Sequence, residues 1–164
     1  MTKSISITLA TLLLASASMA QKYLPPASTP GAINAKVTQA NIRSTICAAG
    51  WTKTIRPGSR YTNKLKIAQM KELGLTGTPK DFEEDHFVSL EIGGNPTDPA
   101  NLWPQPWPEA RLKDVTETYL KRQVCSGAVT LKAAQNAIRR DWTVIYLRIS
   151  GKSVQAALAA KNRK

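Results

Sequence analysis

The chain has 164 residues, with 23 Lys or Arg against 11 Asp or Glu and a formal net charge of +12. That length suits one domain with a real core, and neither an internal repeat nor a second domain is visible. The basic excess favours polyanionic partners such as nucleic acid, anionic lipid or envelope polymers, although a cationic surface can also serve solubility alone.

Residues 1–20 read as an export signal. Lys3 gives a positive start, Ile5 to Ala17 are apolar and small, and Ser18-Met19-Ala20 fits a small-x-small cleavage site before Gln21. The run is too short and too rich in Ser and Thr for a membrane span, which needs about 20 apolar residues. A buried N-terminal helix is the alternative. Processing would leave a periplasmic or secreted protein with no stable membrane insertion.

Residues 21–35 carry Pro25, Pro26, Pro30 and Gly31 among small residues and are expected to form a flexible leader. Val37 to Ile46 is ambiguous between strand and helix, and Cys47 to Pro57 is expected to be irregular. Tyr61 to Leu73 has helical spacing of Leu65, Ile67, Ala68, Met70 and Leu73, with Thr62 or Asn63 as cap and Gly74 as stop. Phe82 to Ile92 is predicted to be extended, with a reversal at Gly93-Gly94 and a short return strand over Ala100 to Trp103. Pro104, Pro106 and Pro108 predict an extended linker around Trp103 and Trp107. Helices are expected from Glu109 to Val124 and, capped by Thr130, from Leu131 onward. The basic tail, 151–164, is expected to be a weak helix or frayed. The whole is an α+β domain over residues 36–150.

Cys47 and Cys125 are the only cysteines. In an oxidising compartment such a pair is expected to form a disulfide, with two unpaired core thiols as the alternative. No CxxC accompanies them, so metal binding through them is not expected.

The chemistry concentrates in Glu83 to Trp103. His86, the single histidine, follows Asp85 directly, and Gly93-Gly94 turns the chain back toward Asn101-Leu102. An imidazole titrates near neutral pH and suits a general base. A neighbouring carboxylate is a hard oxygen ligand for Mg²⁺ or a similar ion. Asn101 can hydrogen-bond across the turn and fix the loop. Together these point to a one-metal phosphodiesterase site, with a structural Asp-His ion pair as the plainer reading.

Asp85-His86, Leu90, Gly93-Gly94 and Asn101-Leu102 resemble the HNH endonuclease motif, D-H-x-x-x-L-x-x-G-G followed by N-L. Cys47-x-x-Gly50-Trp51-Thr52, Asn101-Leu102-Trp103-Pro104 and Val124-Cys125-Ser126-Gly127 are similar to a group of small exported bacterial proteins with an HNH-like centre. The resemblance implies a ββα-metal finger, a hairpin followed by a helix, flanked here by additional helices. It implies that Asp85 binds the metal, His86 is the general base and Asn101 supports the loop. The third position, a His or Asn on the helix, has no counterpart. Asp114 on the helix, or Glu83 two residues before Asp85, is the candidate replacement, and Lys113 is a candidate to meet the scissile phosphate. One divalent ion is implied, Mg²⁺ first, with Mn²⁺, Ni²⁺ or Zn²⁺ as alternatives.

The expected activity is a metal-dependent endonuclease of low sequence specificity, monomeric, acting on DNA in preference to RNA. The rival is a catalytically inactive cationic protein that binds nucleic acid or envelope polymers on the same scaffold; a module binding a protein partner is a third. Trp103 and Trp107 are either packed or available to stack on bases.

Overall fold

The computed structural model describes residues 23–161. The expected signal segment, residues 1–20, lies outside them, as do Arg163 and Lys164 of the tail.

The sheet is one antiparallel hairpin. Strand β1, Phe82–His86, pairs with β2, Leu102–Pro106, in a register that sets Phe82 opposite Pro106 and His86 opposite Leu102. Both strands are shorter than, or displaced from, the predicted ones. After His86 the backbone leaves the ladder because the Asn101 side chain takes over Val88, and Leu90–Ile92 winds into a 3-10 turn. The return strand begins at Leu102 and absorbs Pro104 and Pro106. A two-stranded sheet has only edge strands, so a proline that cannot donate is tolerated there.

Helices surround the hairpin. Helix α1, Trp51–Ile55, is a short element within the stretch expected to be irregular. Helix α2, Ser59–Glu72, starts after Gly58, with neither Thr62 nor Asn63 capping it. Helix α3, Trp107–Ser126, begins directly at the end of β2 with Pro108 in its first turn, so the second strand and the helix run on without a linker. Helix α4, Leu131–Ser150, is capped by Thr130, whose side chain accepts from the Ala133 amide at 3.1 Å. It bends at Asp141, whose carboxylate then accepts from the Thr143 amide (2.9 Å) and hydroxyl (2.6 Å), capping the second half afresh. Helix α5, Val154–Lys161, is a formed helix, and Val154 is buried in the core.

The domain reaches beyond 36–150 at both ends. Tyr23 is buried, and its carbonyl accepts from Trp142 Nε1 at 2.8 Å. Gly31 and Ala32 donate to the Ala100 carbonyl, and Ile33 bridges to Gly94. The segment expected to be a flexible leader is, from Tyr23 on, a strap laid against the loop that joins the strands. The core lies between α3 and α4 and includes Ile46, Val88, Ile92, Val124, Ile138 and Trp142. A disulfide joins Cys47 to Cys125, with a Cα–Cα distance of 5.7 Å. It anchors the segment before α1 to the end of α3.

Candidate functional site

Side chains alternate along a strand. In β1, Asp85 reaches α3 and Glu84 lies toward Lys66 of α2. The two sides have different chemistry.

On the α3 side the central group is Lys113, which is 0% exposed. Its ammonium donates to Asp85 Oδ2 at 2.8 Å, to the His86 carbonyl at 2.7 Å and to Glu117 Oε1. An ammonium has three protons, and all three are used. The second oxygen of Glu117 accepts from the Ser89 hydroxyl at 2.7 Å, and Ser89 Oγ also accepts from the Glu91 amide. Burial works against the charge on Lys113, but Asp85 and Glu117 outweigh it and hold its pKa above the usual lysine range. Burial pushes the Glu117 carboxyl up, while Lys113 and Ser89 pull it back.

These contacts place the expected ligands. Asp85 is bonded to an ammonium. Asp114, one residue on from Lys113, is exposed on α3. Glu83 is half-buried, and burial first, then the charges of Asp85, Asp114 and Glu117, raises its pKa to about 7. Among the described residues, no group of three or more His, Cys, Asp or Glu side chains is arranged to hold a metal ion. The resemblance would put a divalent ion between Asp85 and the helix. That place is filled by the side-chain cation Lys113, so the residues present do not fit a protein-held ion there. Lys113 also faces away from any phosphate, because it has no surface to offer one.

On the other side, His86 is 4% exposed and lines a cleft of about 330 Å³ between β1 and the start of α2. His86 Nε2 lies 3.0 Å from the Pro96 carbonyl. A carbonyl only accepts, so Nε2 carries the proton and Nδ1 of the neutral ring keeps its lone pair. Burial lowers the pKa of His86, outweighing the Pro96 bond and Asp85, and Arg56 adds to the lowering. Burial therefore favours the neutral ring, and the Pro96 bond fixes its tautomer.

The same cleft holds Arg56, exposed just after α1, with Lys66 and Glu84. The Lys66 ammonium donates to the Phe82 carbonyl at 2.8 Å. Glu84 is buried and neither carboxylate oxygen has a hydrogen-bond partner; burial raises its pKa to about 8 despite the charge of Lys66. Trp107, at the first position of α3, forms part of the rim. It is 37% exposed, the Arg111 guanidinium lies 5.9 Å from its ring centre, and it also lines a second, open basin of about 800 Å³ with Lys80 and Arg111. Trp103, by contrast, is buried.

Asn101 is wholly buried and holds the loop. Its Oδ1 accepts from the Val88 amide at 2.8 Å, and its Nδ2 donates to the carbonyls of Val88 (3.0 Å) and Asn95 (2.9 Å). Gly94 lies against the same carbonyl: a Cβ built there would stand 1.7 Å from the Val88 oxygen.

Sequence reasoning missed Arg56, Lys66, Glu84 and Glu117 as members of the site. Glu117 was legible, since it follows Lys113 by four residues on a helix. The Glu83-Glu84-Asp85 run was also a cue, because a strand burying such a run needs an internal cation. Nothing local marks Arg56, which reaches the cleft only through the packing of α1 and α2.

Comparison of the chain with protein-family models, curated proteins and solved structures gives no match.

Proposed function

We propose that the protein is an exported phosphodiesterase acting on nucleic acid, with His86 as general base and Arg56 as the cation that receives the phosphate. The observation that carries this reading is the His86 ring, bonded through Nε2 to the Pro96 carbonyl and lining a cleft that also contains a guanidinium. An oriented imidazole with a basic Nδ1 takes the proton of an attacking oxygen. A guanidinium matches two phosphoryl oxygens and offsets the charge that grows on them. Lys113 is a positioning residue, since its bonds to Asp85 and to the His86 carbonyl fix the strand end that carries the ring. The Trp107 rim and the basin with Lys80 and Arg111 extend the cationic path beyond the cleft. The disulfide suits an oxidising compartment, which supports export.

The test uses the oxidised protein with plasmid DNA and with a long RNA, with and without EDTA, beside His86→Ala and Arg56→Ala. Loss of the base should lower the rate about 10²–10⁴-fold. Equal rates for wild type and His86→Ala would end the reading. A second reading, a binding protein without catalysis, is favoured by the saturation of Asp85 by Lys113. Its signature would be salt-sensitive retention of oligonucleotides with no cleavage under any condition.

A further inference from the structure

We infer that the nucleophile is the substrate's own 2′-hydroxyl, which makes the substrate single-stranded RNA; the inference rests on the phosphodiesterase reading above. Water is a weak nucleophile at neutral pH, and a metal ion is the usual means of lowering its pKa. The cation nearest Asp85 is Lys113, which is fully buried with three acceptors of its own and touches no substrate. The chain contains one histidine, so a second imidazole is not available to share the work as nucleophile or acid.

A single oriented imidazole is enough when the nucleophile is already attached to the substrate. An adjacent hydroxyl has an effective molarity that reaches about 10⁵–10⁸ M for well-oriented groups. His86 Nδ1 takes the proton from O2′, the O2′–P bond forms, and the P–O5′ bond breaks. The proton returns through solvent to O5′. The step is an intramolecular transesterification: it consumes no water and no other reactant, and leaves one fragment with a 2′,3′-cyclic phosphate and one with a 5′-hydroxyl. Arg56 lies in the same cleft to hold the phosphoryl oxygens.

The rim explains the preference for a single strand. Trp107 is 37% exposed and is shared by the His86 cleft and the larger basin, so a base stacked on it leaves its phosphate pointing into either one. A base can reach such a platform only when it is unpaired.

The experiment compares two labelled oligonucleotides of one sequence, all-deoxy and deoxy with one internal ribonucleotide, incubated with the oxidised full chain in EDTA. Cleavage is expected only after the ribonucleotide, with a cyclic phosphate end detected by mass spectrometry. A 2′-O-methyl group at that position should abolish it, and Trp107→Ala should slow it about tenfold or more, in line with about 1–3 kcal/mol for base stacking. Equal cutting of the all-deoxy strand, or cutting of the 2′-O-methyl strand, overturns the inference while leaving the phosphodiesterase reading in place. Cleavage of the ribonucleotide strand only after a divalent ion is added also overturns it. Failure to cut any of the strands, in EDTA or with added Mg²⁺ or Mn²⁺, removes both.

Discussion

At the scale of single residues, the structure turns on one buried cation among several acids. Lys113 satisfies Asp85, Glu117 and a main-chain carbonyl together. Replacing it with methionine keeps the volume and leaves two buried carboxylates uncompensated. Lys113→Met is therefore expected to cost about 3–5 kcal/mol in urea unfolding, and Glu117→Gln added to it should recover part of that loss. Glu84 behaves in the opposite way. Its pKa is raised from 4.5 to about 8, so between those values the folded protein binds more protons than the unfolded chain. Stability from this group is complete below the unfolded value and is lost as pH rises through the folded one. Glu83, raised to about 7, adds to the same trend. Glu84→Gln should leave the melting temperature near that of wild type at pH 4.5 and raise it progressively toward pH 8. A gain independent of pH would show that burial of the charge is not the cause.

At the scale of elements, the loop between the strands is built around two residue types with no substitutes. Asn101 makes three bonds from a fully buried position, and Gly94 admits the Val88 carbonyl only because it has no Cβ. Gly94→Ala should cost about 3 kcal/mol or more, since the obstacle is backbone rather than a side chain that can move. Thermal melts would measure this, and loss of His86-dependent activity should accompany it. This loop was the most legible part of the chain. Gly-Gly followed by Asn-Leu is a local signal, and its meaning depends on backbone geometry that local residues dictate. The extent of the strands was less legible, because Phe87 to Ile92 read like a strand and leave the ladder through the Asn101 side chain, 13 positions from Val88. The disposition of Lys113 was legible only in part, since the Glu83-Glu84-Asp85 run calls for an internal cation without saying which one. A lysine beside an aspartate on a helix reads as solvent-facing until the strand opposite is known to present carboxylates to it. The Arg56 position has the same cause: it is set by packing between elements distant in the chain.

At the scale of the molecule, the disulfide and the positive charge act on different properties. The Cys47–Cys125 bond closes a loop with a sequence separation of 78, and its reduction is expected to cost about 4 kcal/mol in the chain-entropy account. Urea unfolding with and without a reductant checks this. The α+β architecture followed from the order of elements, but the role of the N-terminal strap did not, since prolines and small residues describe a packed extended segment as well as a mobile one. That strap sets the order in which the protein can be made. Tyr23 is held by Trp142 and Gly31 by Arg139, at separations of 119 and 108 residues. A nascent chain that has not yet reached α4 can lay its strap against the loop between the strands, through Ala100 and Gly94, but lacks the partners that hold Tyr23 and the Gly31 carbonyl. Folds dominated by such distant pairings close slowly. The last contacts of the strap are thereby made dependent on α4, so its two ends dock on elements made at different times.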